Sequence, residues 1–600
     1  MRIAWMLGVT CLAPALIGLN SSASVPPSRD WPEIRAEREN AVQQHLGDKA
    51  RGYDWFAYAM HGKSAGVPAV LLMVFPELAP QIWGQPKERF ARFGFFDDPT
   101  YGMRPLPLGL GWVMNPVNGD EVGPPIHTVT VTCAACHVGR VLTGAGKYKV
   151  LVGAPNTEID GRKFRRAVEL TVERYCSSEN DIKLTAARVA DLVKAKPATH
   201  RFFGGLYGID AAADSMERKR FEDPAFVAGV LTDFTRRVRG GRAAISKQLA
   251  TSYSRPNAPP LDGGSPGQSD GSGDLIPKFL LAREVARMPE GAVQRFLSSY
   301  YPEMPHRLAT VTDNPSVWRQ ADRPFGQWDG SVRAPIVRNV AAQTAVVGSA
   351  RDINIQNADI VARFTAALPA APYPFAVDLT RAERGQAIYR EHCLGCHRPG
   401  NGTVYSTDAI GTDMNRARVL SAEGKALLLE YFRAAIPPDY VATSASGARF
   451  KPFDLTPDEI INDRARPDHQ GYVAGPLDGV WARAPYLHNG SVPTLRHLLA
   501  ARNPESRRPK TFIRGVVSYD RFNVGFSWDP RVITGLPDNA PSAIVFDTRW
   551  DGASNGGHDR DITVDDEGNP VGTGRLRRLD WSGPEHRTDL NDLLEYLKTL

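Results

Sequence analysis

Two five-residue stretches constrain this chain more than anything else in it: Cys133-Ala-Ala-Cys136-His137 and Cys393-Leu-Gly-Cys396-His397. Two thiols separated by two residues and followed at once by an imidazole form the attachment pattern of c-type haem. The spacing lets both sulfurs reach the two vinyl groups on one porphyrin edge while the next side chain falls beneath the iron. Cys133, Cys136, Cys393 and Cys396 are therefore read as thioether donors, and His137 and His397 as proximal ligands, of two covalently bound c-type haems. With 6 Cys and 13 His in 600 residues, chance gives one such match in about a thousand chains of this length. Two competing arrangements are a zinc site of four thiolates and a pair of local redox disulfides. Zinc ribbons place their pairs about 15–20 residues apart, whereas these lie about 260 apart, and neither alternative asks for a histidine after each pair. Cys176 is read as a small buried hydrophobe and not as a reactive thiol.

The N-terminus reads as an address. Arg2 precedes an apolar stretch from Ile3 to Leu19, and Ser21-Ser22-Ala23 follows. That is the pattern of a secretory signal cleaved after Ala23, with a retained membrane anchor or a lipidated Cys11 as the alternatives. No later run is long enough to cross a bilayer, so the mature chain is expected to be periplasmic or secreted, with no membrane span. A composition of 42% hydrophobic and 23% charged residues excludes disorder and multispan membrane classes. Lys+Arg exceed Asp+Glu by only 6, too little for a nucleic-acid footprint.

The fold class expected is mainly α: two c-type cytochrome haem modules with long loops and a few short strands. The boundaries read from the sequence are a signal segment at 1–23, an N-terminal haem domain at 24–370 and a C-terminal cytochrome c domain at 371–600. Apolar and charged positions alternate at helical spacing over 158–250, the Gly/Pro/Ser-rich stretch 254–274 reads as a loop, and 276–300 resumes a helix. Several prolines in 366–380 mark the domain boundary. A helix from Arg381 to Glu391 leads into Cys393, with Gly385 and Tyr389 four apart on one face, and a second helix closes the chain through Tyr596. This pair resembles the cytochrome c fold, whose first and last helices cross through a small residue and a ring. The first haem motif follows a β-like Val129-Thr-Val-Thr, so internal symmetry is expected to stop at the two motifs.

Three stretches carry a family resemblance: Arg333-Ala-Pro-Ile-Val-Arg338-Asn339, then Trp481-Ala-Arg-Ala-Pro485-Tyr486-Leu-His488-Asn489-Gly490-Ser-Val-Pro493, and the closing Leu-Leu-Glu-Tyr-Leu-Lys-Thr-Leu. The chain resembles the dihaem cytochrome c peroxidase superfamily, which includes the enzyme maturing tryptophan tryptophylquinone. Within it the chain is most similar to the rubber oxygenase branch, which shares the Pro-Tyr-Leu-His-Asn-Gly-Ser-Val-Pro segment and a late segment here written Ser554-Asn555-Gly556-Gly557-His558. The resemblance implies that His558 is the second axial ligand of the haem on His397, with Met414, 17 residues after His397, as its rival. It also implies that the haem on His137 keeps an open face for peroxide or dioxygen. His488 is assigned to a haem propionate or to its own loop, His127 to structure, and Trp318 and Trp328 to a relay between haems.

Three functions follow from the same two irons. A peroxidase needs a polar distal group, for which Glu158 is the nearest acid in sequence, and takes electrons from a small donor cytochrome. A polyisoprene-cleaving oxygenase needs an apolar cavity for a hydrophobic substrate and no donor. A non-enzymatic electron carrier needs two six-coordinate irons. The reading adopted is a dihaem haem oxidoreductase, peroxidase-like, acting on a small-molecule oxidant, with the oxygenase second.

Overall fold

The computed structural model describes residues 30–48, 51–59, 66–84, 90–97, 106–115, 126–144, 146–195, 217–252, 268–269, 312–347, 350, 353–418, 422–461, 471–531, 543–565, 570–571 and 573–600. The signal segment, the 276–300 helix and all of the 254–274 loop except 268–269 lie outside the described residues. The described part is mainly helical, with small antiparallel sheets of two or three strands. None of its helices is long and apolar enough to cross a membrane.

The second cysteine pair is positioned by a helix crossing. Asp378 caps the helix Leu379–His392 by accepting from Arg381 N, and that helix lies across the final helix Arg587–Thr599. At the crossing a Cβ on Gly385 would stand 2.0 Å from Asp592 O, so only glycine permits this backbone approach. One turn on, the Tyr389 and Tyr596 rings sit 5.2 Å apart. Arg384 grips the Asp592 carboxylate at 2.5 and 3.0 Å. Leu590, Leu593, Leu594 and Leu597 bury the other face of the closing helix. The crossing is the one expected from Gly385, Tyr389 and the terminal helix.

The first cysteine pair is positioned by strands. Leu110–Asn115 pairs antiparallel with Ile126–Val131, which delivers Thr132 and the short helix Cys133–His137. Gly109, at φ 92°, lies against Ala135 with no room for a Cβ. Val138–Gly144 then returns along Lys147–Val152. Behind them the helices Gly161–Tyr175, Glu179–Ala195 and Pro224–Ser252 fall within the stretch read as helical, and pack with Ala69–Leu78 in a second core that also takes in Leu110, Val129 and Ala135.

The largest core cluster draws on residues either side of position 370, among them Trp31, Phe56, Trp318, Phe364, Tyr373, Trp481 and Leu593. Trp31 Nε1 donates to Phe375 O at 2.8 Å. The segments carrying the two cysteine motifs therefore share one hydrophobic core.

Candidate haem centres

Within the second module, Cys393 N donates to Tyr389 O and His397 N to Cys393 O, so the cysteine turn continues directly from the leading helix. The His397 Nδ1–H donates to Gly475 O at 2.9 Å, which fixes the tautomer and leaves the other ring nitrogen as a lone-pair donor. Opposite it lies the His558 ring, with centroids 6.3 Å apart and planes 25° apart. A metal–nitrogen bond of about 2 Å on each side, plus about 1.2 Å from nitrogen to ring centre, sets two axial imidazoles roughly 6 Å apart. Burial lowers both pKa values, that of His558 to about 3, so both rings are neutral, as ligands must be. His558 Nδ1 is buried with no hydrogen-bond partner among the described residues. Its φ of 55° is left-handed, a strained state for a non-glycine residue that persists only where the surroundings enforce it. They do so here: Asn489 Nδ2 donates to Gly552 O and Ser554 O at 3.0 and 2.8 Å, Ser491 Oγ to Ser554 O, and Arg508 to Asn555 O and Gly557 O.

In the first module the anchor is Pro315 O, which accepts from His137 Nδ1 at 2.9 Å, and burial lowers the His137 pKa to about 4. Asn156 stitches the cysteine turn down, donating to Ala135 O and, through its backbone, to Cys136 O. A cavity of about 290 Å³ opens against Cys133, Cys136 and His137 and reaches as far as Gly475, the anchor of His397. Among the described residues no second imidazole faces His137.

Three guanidiniums line that cavity: Arg323, Arg338 and Arg483. Burial lowers the pKa of each, to about 9 for Arg338 and Arg483, and the charge of Arg323 lowers those two further. Nε of Arg323 and of Arg483 is buried without a partner among the described residues; Asp478 offsets both charges in part, and Asp322 that of Arg323. Clustered buried cations call for anionic guests, which haem propionates provide. Burial also pushes the thiols up, Cys133 and Cys393 to about 12 and Cys136 to about 11. All four motif cysteines are outside disulfides. Sites that disfavour thiolate suit neutral thioether sulfur and oppose a zinc cage. Among the described residues, no three His, Cys, Asp or Glu side chains converge as such a cage. On donor chemistry, spacing and charge, the residues present fit a c-type haem at both motifs.

The expectation that internal symmetry stops at the motifs is corrected, because one supporting frame occurs twice. Four residues after each carbonyl anchor a left-handed residue (Arg319, φ 46°; Gly479, φ 66°) caps a 3-10 turn, and a loop ending Gly-Ser-Val follows. Gly326 N donates to Val332 O and Tyr486 N to Val492 O, each at 2.6 Å. Gln327 and Leu487 are left-handed at φ 63° and 71°, Gly330 and Gly490 at 67° and 59°. A helix follows each loop, Pro335–Val347 or Leu495–Leu499. Trp328 and His488 hold equivalent places, as do Asp329 and Asn489.

Glu158 does not serve the cavity. Both its oxygens accept from Arg140, at 2.7 and 2.8 Å, and it is not among the residues lining the cavity. Asp313 is the cavity's carboxylate among the described residues, and it is paired with Arg514 at 2.6 Å. Trp318 is sealed in the core between Gly153 and Gly479 and donates to Val152 O. Trp328 lines the cavity, donates to Asp313 O at 2.8 Å and accepts from Val473 N at 3.0 Å. His488 is stacked on Tyr472 at 4.1 Å and bonded to its hydroxyl, which fixes the loop. His127 pairs with Glu217 at 2.6 Å in a fully buried site. Cys176 is buried. Met414 is half-buried in the turn before Arg416.

Burial lowers the pKa of His488 to about 3 and of His497 to about 4. The unfolded chain takes up protons below about pH 6.5 while the fold resists. Stability is thus expected to fall as pH drops from 6.5 towards 4, by up to about 1.4 kcal/mol per unit for each residue. Denaturant titrations at several pH values check this, and His488→Gln should remove one proton from the slope.

Comparison with known proteins places these features in a family. Residues 51–137, ending on the first haem-motif histidine, match the Y4iN-like domain. Residues 471–513, which hold Gly475 and the 486–492 loop, match a domain described as RoxA-like, cytochrome c-like. The chain is 25% identical over 651 residues to the uncharacterized protein y4iJ of Sinorhizobium fredii (strain NBRC 101917 / NGR234), spanning 95% of this chain and 94% of that protein. It is 37% identical over 142 residues to the uncharacterized protein y4iN of the same strain, 22% of this chain and 68% of y4iN. To that strain's uncharacterized protein y4iM it is 41% identical over 446 residues, 71% of this chain and 99% of y4iM. With virtually the whole of y4iM aligned at that identity, the chain belongs to the y4iM family, and within it carries a cytochrome c-like segment.

Proposed function

We propose that the chain is an exported c-type cytochrome with two haems, acting as an oxidoreductase similar to the dihaem cytochrome c peroxidases. The observation that carries this reading is the asymmetry between the motifs: His397 faces a second imidazole at 6.3 Å, while His137 borders a cavity. The haems, when bound, supply one-electron storage at a closed centre and reaction with peroxide or dioxygen at an open one.

The chain's own residues do the rest. Pro315 O and Gly475 O orient His137 and His397 and raise the basicity of each ligand. Arg323 donates to Ser316 O and Oγ at 3.3 and 3.2 Å and lies against Gly475, so one cation braces both anchors and favours carboxylates between the modules. Trp328, whose indole donates to the Asp313 carbonyl near one anchor and whose backbone carbonyl accepts from Val473 N near the other, is the better relay candidate of the two tryptophans. Hydrogen peroxide consumption by the holoprotein that depends on a reduced cytochrome donor is the expected result.

A second reading, an oxygenase cleaving polyisoprene, is favoured by the RoxA-like match and by a cavity whose carboxylate among the described residues is committed to Arg514. Oxygen uptake with polyisoprene latex and no donor would select it. Neither reaction, with both haems low-spin and unaffected by cyanide, would leave an electron carrier.

A further inference from the structure

Between the two frames lies a buried ion pair that the two-haem reading leaves unexplained. Arg416 Nη1 donates to Asp329 Oδ2 at 2.8 Å, with both side chains 1% exposed. Asp329 belongs to the first frame's loop, where its Oδ1 also accepts from Ser331 N and Oγ at 3.1 and 2.8 Å. Arg416 belongs to the second module, in the turn that follows Gly411. Tyr472 fastens the same turn, its hydroxyl donating to Asp413 O at 2.8 Å and accepting from Ala417 N at 3.2 Å. Met414 lies between these fastenings. The start of the turn packs on the segment that carries His558: a Cβ on Gly556 would meet Gly411 O at 2.6 Å, and one on Gly557 would meet Thr412 Cβ at 3.0 Å. A residue with a thioether able to bind iron thus sits two positions after a stretch that packs on the His558 segment.

The duplicated frame shows what the tether replaces. In the second loop Asn489 and Ser491 hold the carbonyls of Gly552 and Ser554, and so hold the segment delivering His558. In the first loop the equivalent Asp329, braced by Ser331, holds Arg416. Burying two charges costs desolvation that their attraction barely repays, so such a pair is better suited to fixing one arrangement than to adding stability.

We propose that Asp329, acting through Arg416, is a positioning residue that keeps Met414 off the second iron and so selects His558 as the partner of His397. This rests on the two-haem reading and on His558 as an axial ligand. Thioether ligation raises a haem's potential above that of a bis-imidazole centre, so ligand choice here sets the direction in which electrons run between the haems.

The test uses the purified ferric holoprotein carrying Asp329→Asn. It should gain the red charge-transfer absorption of a thioether-ligated haem, and the low-spin haem should titrate at a higher potential. Adding Met414→Ala should abolish both changes, Asp329→Glu should retain the wild-type spectrum, and Met414→Ala alone should change neither. Arg416→Lys, which keeps the charge and loses the planar fork, serves if Asp329→Asn does not fold, and should show the same gain in part. A folded Asp329→Asn protein with an unaltered spectrum and potential overturns the proposal, as do changes that persist when Met414 is absent. An unaltered low-spin signal in His558→Ala would instead remove the ligand assignment beneath it.

Discussion

Replacing His558 with alanine should convert the second haem from low-spin to high-spin while leaving the signal of the first unchanged. The expectation comes from the pairing of two buried neutral rings across 6.3 Å. Once one is gone, only a weak-field water or nothing takes its place. The effect is large because the strained backbone at 558, φ 55°, is held by Asn489, Ser491 and Arg508 independently of the imidazole. The segment stays in place and offers no replacement. Electron paramagnetic resonance of the ferric protein reads the outcome. A low-spin signal that persists would transfer the ligand role to Met414.

Gly385→Val should cost the second module its fold. Its new Cβ would stand 2.0 Å from Asp592 O, 2.5 Å from Asp592 C and 2.9 Å from Leu593 N, all backbone atoms that cannot rotate aside. The two helices would have to part, breaking the Arg384–Asp592 fork and the Tyr389–Tyr596 contact. The loss belongs with the most severe core lesions, about 4–5 kcal/mol or more. Thermal unfolding should show a large drop in midpoint and the purified protein a deficit in haem at Cys393 and Cys396. A melting temperature within a few degrees of wild type would mean that the crossing is not what supports the motif.

The two Cys-x-x-Cys-His motifs stand out because haem attachment would demand five consecutive residues, and the helix crossing was legible because Gly385 and Tyr389 fall at helical spacing and Tyr596 lies on the closing helix. The duplicated frame was hidden by its own variation. The two copies keep the same spacing, but the pairs Gly326/Tyr486, Gln327/Leu487, Trp328/His488 and Asp329/Asn489 differ in chemistry while sharing a backbone path. Left-handed φ values and a common bridge are properties of that path, and Gly-Ser-Val with the arginine seven residues before it (Arg323, Arg483) was its trace in the residues. Arg323, Arg338 and Arg483 were lost among 72 basic residues, since periodicity does not tell a buried guanidinium from a solvated one. Glu158 was misjudged because nearness to a haem motif along the chain says nothing about which way a side chain turns. Arg140, on the strand that follows the motif, claims it.

The account stands on two porphyrins tethered to one polypeptide. A pyridine haemochrome assay on protein produced with a c-type haem maturation system measures this directly, paired with the intact mass of the denatured chain. Two haems per chain, both retained after denaturation, are expected. One haem or none, or haem lost on denaturation, would contradict it.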